Sequence, residues 1–226
     1  KKLMTGLTQL DKTAKLSFAN SLWLNNVTPQ ETYKETITNN YNAEIFTRDF
    51  AKRGTLDAIN GWCSKATNGK IGRMYDELPA GLQFLLLDAT YFKAEWATPF
   101  TKITDGKFTK ENGEKVKVNM MHQKFDTQYY ENETVQMASK PFGQGTFNMY
   151  FVLPREGVTM DDAAEAFATN FTQWCSDARR CEVNLSLPRF KADYSTSLKD
   201  ALQATGMKNA FTPGSADFSG ITKKEP

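Results

Sequence analysis

The chain has 226 residues, 40% of them hydrophobic and 24% charged, which is ordinary for a globular protein and long enough to bury a real core. Sixteen Phe, eight Tyr and four Trp argue against disorder. A net charge of +2, from 28 basic and 26 acidic residues, leaves no nucleic-acid footprint, and no apolar run reaches the ~18 residues of a membrane span.

The opening Lys-Lys-Leu-Met-Thr-Gly lacks the basic-then-apolar pattern of a secretory signal. Lys15 to Leu24 reads as a strand. Leu16, Phe18, Leu22 and Leu24 share one parity, and Ala19 and Trp23 the other, so neither face is wholly polar and a covered central strand is expected. Thr28 is read as the N-cap and Pro29 as the first position of a helix running to about Asn40. A short strand follows over Asn42 to Phe46. Leu56, Ile59, Trp62, Cys63 and Ala66 form one apolar stripe, which predicts a helix from Thr55 to about Lys65, ended by Asn68-Gly69.

Gln83 to Lys93 reads as a long buried strand, apolar on both faces, that runs into Ala94-Glu95-Trp96 with Pro99-Phe100 behind. Phe108 to Phe125 carries two strands around an Asn112-Gly113 hairpin. Tyr129-Tyr130, Val135 to Ala138 and Phe147 to Leu153 read as successive strands, the last two joined at Gly143-Gln144-Gly145. Met160 to Cys175 is helical, with Phe167, Phe171 and Trp174 on one face, and Asp161-Asp162 placed favourably at its N-terminus. Glu182 to Leu187 alternates strictly and is a strand ended by Pro188. A helix from Ser195 to Thr205 stops at Gly206, and 216–221 forms a compact loop. The sum is α+β, with a length that suits one large domain or two small ones and with no internal repeat or clear linker.

Little of this carries chemistry by itself. The single His122 lies within a strand-like run without a nucleophile elbow, so a Ser-His-Asp or Cys-His mechanism is not supported. Phosphate-cradling glycine loops are absent, and one histidine removes the common zinc clusters, so no cofactor and no metal is expected. Lys1-Lys2, Arg179-Arg180 and Lys223-Lys224 read as solvated pairs. Four Asn-x-Ser/Thr triplets, at Asn26, Asn132, Asn170 and Asn184, are given no role. Cys63, on a helix, reads as a buried thiol; Cys175 and Cys181 flank a polar turn-like stretch, where a disulfide is one open alternative.

An ordered set of segments resembles the serpin family. Ala19-Asn20-Ser21-Leu22-Trp23-Leu24 resembles its second central-sheet strand. Ile59-Asn60-Gly61-Trp62 with Thr67-Asn68-Gly69-Lys70-Ile71 resembles the helix crossing that sheet. Asp88-Ala89-Thr90-Tyr91-Phe92-Lys93-Ala94-Glu95-Trp96 with Pro99-Phe100 is similar to the most recognisable family run, the third strand. Val118 to Gln123, Phe151-Val152-Leu153-Pro154, Leu187-Pro188-Arg189-Phe190-Lys191, Gly206-Met207 with Phe211, and Ala216 to Ile221 follow in order.

The resemblance implies a single partial domain over 1–226: a large central β-sheet with smaller sheets and surrounding helices, incomplete in this chain. The opening helices are expected upstream of Lys1. The fifth central strand, hinge, reactive loop and final strands are expected after Pro226. It implies an inhibitor of serine peptidases, with cysteine peptidases as further targets, rather than an enzyme. The metastable fold changes conformation: a cleaved loop inserts beside the strand of 83–93. Extracellular or periplasmic location comes with the resemblance. Trp96 and Arg189 resemble residues at the top of the sheet opening, with the Arg placed to lie over the indole. Asp88 stands where the family has Asn, and a buried carboxylate there calls for a basic partner or marks a retuned opening. Alternatives are a non-inhibitory binding protein and an inactive fragment. The unpaired edge of that strand predicts that these 226 residues alone are insoluble, or complemented by a second polypeptide that supplies the absent strands.

Overall fold

The computed structural model describes residues 1–194, 196–212 and 214–223. Among the described residues, five α-helices, one 3-10 turn (Asn209–Phe211) and eight strands are distributed over two compact units. The first comprises Lys1–Leu10, Lys15–Lys93 and Tyr194–Pro226; the second comprises Asp11–Ala14 and Ala94–Asp193.

The first unit is built on a three-stranded sheet. β1 (Lys15–Asn25) is central, flanked by parallel β2 (Ala43–Arg48) and antiparallel β3 (Phe84–Lys93). One face is covered by α3 (Arg53–Ala66). Ile59, Trp62 and Cys63 pack there against Trp23, Leu85, Leu87 and Ala89. The expected apolar stripe of α3 is the stripe that is buried, apart from Leu56 and Ala66 at its margins. The helix ends on two consecutive left-handed residues, Asn68 (φ 49°) and Gly69 (φ 75°), and the Gly69 N–H closes on the Ser64 carbonyl at 2.7 Å.

Several expectations change in this unit. α1 (Lys2–Gln9) has no counterpart in the sequence reading, although Leu3, Met4 and Leu7 keep a helical spacing around Gly6. α2 (Glu31–Tyr41) starts later than Thr28-Pro29 suggested: its N-cap is Gln30, still extended. The Gln30 N–H donates to the Ile221 carbonyl at 2.7 Å and its side-chain amide to the Ser219 carbonyl, so the 217–221 loop holds the chain straight before the helix begins. α5 is short (Lys199–Ala204); Ser195, where the helix was expected to begin, lies outside the described residues, as does Lys224 of the Lys223-Lys224 pair. Gly206 stops α5 at φ 107°.

The second unit is a five-stranded sheet with order β4-β5-β6-β7 and β8 on β5. β4 (Lys102–Thr109) and β5 (Lys115–Glu131) form the expected hairpin. Gly113 sits at φ 80°, and the Lys110 N–H reaches the Glu114 carbonyl at 2.8 Å. Tyr129-Tyr130 is not a separate strand but the far end of the 17-residue β5. β5 pairs with β4 over Lys115–His122 and with β6 (Val135–Phe142) over Tyr129–Glu131, both along one edge. β8 (Arg179–Pro188) takes the other edge, and β7 (Phe147–Pro154) continues beyond β6.

α4 (Met160–Asp177) presents Phe167, Phe171 and Trp174 to Val135, Met137 and Val152. Its N-terminus is closed by a reciprocal pair: the Asp162 N–H donates to Thr159 Oγ1 at 3.1 Å, and the Thr159 hydroxyl to the Asp162 carboxylate at 2.7 Å. The stretch between Cys175 and Cys181 is not a turn: α4 passes through the extended Ala178 directly into β8. All three cysteines are free thiols, Cys175 on the helix and Cys181 exposed on the strand.

Asp11 ties the chain to the β6–β7 turn. Its carboxylate is buried and accepts from the Thr13 N–H (2.8 Å), the Thr13 hydroxyl (2.6 Å) and the Gln144 N–H (2.8 Å). The Thr13 hydroxyl is the chief reason its pKa lies below the usual carboxylate value; burial opposes this, and the backbone donors add to it. Gly143 lies so close that a Cβ there would fall 2.1 Å from Thr13 Oγ1 and 2.7 Å from the Asp11 carboxylate, at φ 49°.

Two expected outcomes follow. Ile59→Ala, at a fully buried position, lowers stability by ~2–5 kcal/mol in denaturant unfolding. The Asp11 contribution is present above the unfolded carboxyl value of about 3.9 and is lost as pH falls through the lower folded value, so Asp11→Asn flattens the acid limb of the stability–pH curve. An unchanged acid limb in the Asn variant contradicts this assignment.

Candidate functional site

β3 is an edge strand with two unlike faces. Leu85, Leu87, Ala89 and Tyr91 are buried on the α3 side, whereas Leu86 is 62% and Phe92 41% exposed on the other. The expectation of burial on both faces is therefore corrected: one face is packed by α3, and the described residues leave much of the other open. Toward the start of β3 part of that second face is covered, where Phe218 of the 217–221 loop meets Phe84 at 5.8 Å. Every ladder pairing of β3 runs to β1, from Lys93 opposite Lys15 to Phe84 opposite Leu24. Among the described residues no strand pairs with its other edge. Such an edge is a template for another extended segment.

Asp88 lies mid-strand opposite Asn20, on the exposed face. The carboxylate is solvated rather than buried, which removes the need for a basic partner; no ion pair involves it among the described residues.

In the second unit, Trp96 sits in a short extended segment laid against β6. It bridges to Phe142, the Ala97 N–H donates to the Pro141 carbonyl (2.9 Å), and the Gly143 N–H donates to the Glu95 carbonyl (2.9 Å). The indole stacks on Phe142 at 4.3 Å and 13°, and Phe100 meets it edge-on at 5.8 Å and 88°. Phe151 completes the ring cluster at 6.2 Å.

The cation over the Trp96 ring is Lys140, not Arg189. Lys140 Nζ lies 5.6 Å from that centroid, 4.9 Å from Phe100 and 4.3 Å from Phe125. It donates to the Thr98 carbonyl at 2.8 Å and to Gln123 Oε1. Burial pushes its pKa below the ordinary lysine value. Arg189 instead follows the end of β8, exposed, its N–H bonded to the Asn119 carbonyl at 2.8 Å. The sequence reading missed Lys140. The available signal was its parity, since Lys140 is in phase with Ala138 and Phe142 on β6.

His122 is half-buried between two hydroxyls on neighbouring strands, Thr104 Oγ1 at 2.9 Å from Nε2 and Ser186 Oγ at 2.9 Å from Nδ1. Neither nitrogen meets a carboxylate, so the ring joins β4, β5 and β8 rather than forming a relay. Among the described residues no group of three or more His, Cys, Asp or Glu is placed to hold a metal, and no helix is long and apolar enough to cross a membrane.

The family model Serpin (serine protease inhibitor) matches residues 1–226. The chain is 32% identical over 220 residues to Iripin-1 of Ixodes ricinus, covering 92% of this chain and 55% of that protein. It is 31% identical over 215 residues to an uncharacterized serpin-like protein of Methanosarcina acetivorans, covering 92% and 50%. The crystal structure of Tengpin, a thermophilic serpin, in the latent state superposes with a TM-score of 0.88 at 29% identity, covering 98% of this chain and 62% of that one. The chain thus spans about half the length of the curated relatives it matches.

The Trp96–Phe142 stack is expected to couple energetically. A Trp96→Leu/Phe142→Leu double-mutant cycle should return about 0.5–1.5 kcal/mol. Strict additivity of the two substitutions contradicts the contact.

Proposed function

We infer function from family membership, for this chain belongs to the serpin family. The reading that the geometry supports best is inhibition of a serine peptidase by loop cleavage and insertion. One observation carries it: β3 commits one edge to β1 and offers the other to no described strand, while its outer face stays open at Leu86. In this reading residues 1–226 are the central part of a single domain, and the reactive loop lies outside them. A peptidase attacks that loop and is held as the acyl-enzyme. The freed segment then enters beside β3, where it satisfies ladder hydrogen bonds and buries alternate side chains. The energy released pulls the enzyme along and distorts its active site.

Trp96 is assigned to the top of the opening, where insertion starts. Its stack on Phe142 and its bonds to β6 make the segment one that stays shut or releases as a unit. Asp88, solvated in mid-β3, and Arg189, exposed after β8, are assigned to the same opening as charged positions that modulate it. The partner is a serine peptidase, with cysteine peptidases as further targets, and the setting is extracellular or periplasmic. No cofactor enters the mechanism.

The test is incubation of the full-length protein with a panel of serine and cysteine peptidases. A covalent complex that survives denaturant on a gel is the expected result. Clean cleavage without such a complex overturns the inhibitory reading and leaves a binding protein on the same fold.

A further inference from the structure

Lys140 is 1% exposed, and its partners among the described residues are two carbonyl oxygens and aromatic faces, with no carboxylate. A buried ammonium without an anionic partner is costly unless other groups replace its water. Here they do. Two of its three N–H groups meet Thr98 O and Gln123 Oε1, and the remaining face of the cation looks onto Phe125 and Phe100. Gln123 is itself 3% exposed, so its amide oxygen has no ready alternative in solvent. This is the coordination that aromatic cages give to ammonium ligands, with the guest supplied by the protein's own β6.

The partners belong to three places in the chain. Trp96, Thr98 and Phe100 come from the segment before β4; Gln123 and Phe125 come from β5; Lys140 comes from β6. β4 and β6 pair with the same edge of β5 at its two ends, Lys115–His122 and Tyr129–Glu131. Lys140 bonds within the intervening stretch, where no β6 residue makes ladder contact with β5. It therefore joins the Trp96 segment to both strands at the place where backbone pairing is interrupted.

We propose that the Lys140 ammonium is a latch, a positioning residue whose charge rather than its alkyl stem holds the Trp96 segment on β6. The latch thereby sets how readily that segment opens to an inserting strand. The second statement rests on the inhibitory reading; the first does not. The ordinary role of a buried lysine stem, apolar packing, would be met equally by methionine.

The experiment uses the full-length protein and reads hydrogen exchange at the Ala97 and Gly143 amides, whose bonds fasten the segment. Lys140→Met keeps the length and removes the charge; roughly tenfold or faster exchange at both amides is expected. Lys140→Ala empties the cage, and n-propylammonium should restore protection where 1-propanol does not. Wild-type exchange in the Met variant overturns the latch, as does equal rescue by the alcohol. If the Ala variant does not fold, the Met variant alone decides. The rate of covalent complex formation is measured in parallel. Faster exchange with a changed complex rate supports both statements. Faster exchange with an unchanged rate leaves the latch standing and overturns the role of Trp96 as a gate.

Discussion

A β-strand has two edges, and among the described residues β3 pairs through one. From Phe84 to Lys93 its ladder pairs with β1, and α3 covers one of its faces through Ile59, Trp62 and Cys63. That packing fixes the register. A slip by one residue would turn Leu85, Leu87, Ala89 and Tyr91 outward and bring Asp88 into the core. The strand is thus held from one side, and among the described residues no strand pairs with its other edge. The inhibitory reading asks for nothing more exotic than completion of that ladder.

The same economy applies around Trp96, where attachment depends on a few strong contacts. The segment touches β6 through two backbone hydrogen bonds, one stacked ring pair and one coordinated cation. A hydrophobic plug in place of Lys140 would avoid the desolvation that pushes the ammonium pKa down. It would also leave the buried Gln123 oxygen without the donor it has here. A cation here instead gathers the rings, the carbonyl and the amide around one group. In the inhibitory reading, few contacts with high mutual dependence suit a segment that is shut in one state and displaced in another.

Much of this fold was legible because it rests on periodicity and turn chemistry. The stripe of α3, the Asn112-Gly113 hairpin, the acidic Asp161-Asp162 start of α4 and its aromatic face all follow from spacing that local physics enforces. The misreadings share a cause of another kind. Leu85-Leu86-Leu87 has no polar alternation, so sequence cannot tell a face that α3 packs from one left open; that depends on what else is present. The start of α2 was displaced by the 217–221 loop, almost two hundred residues away in sequence, through hydrogen bonds to Gln30 that no local signal announces. Cys175 and Cys181 looked like the ends of a turn because helix end and strand start are both polar there.

Lys140 and Arg189 show where a family resemblance misleads at the level of one side chain. The expectation of a cation over Trp96 was chemically sound, since an indole face in a ring cluster attracts one. The resemblance suggested the basic residue at the end of β8, but that backbone bonds to Asn119 on β5 and leaves the guanidinium in solvent. Lys140 reaches the ring because β6 sets it in phase with Phe142, two residues on and stacked against the same indole. Strand parity, a local property, thus decides which cation arrives. The Ser-Lys-Pro-Phe sequence of β6 concealed a buried charge only because lysine in a strand is ordinarily assumed to point outward.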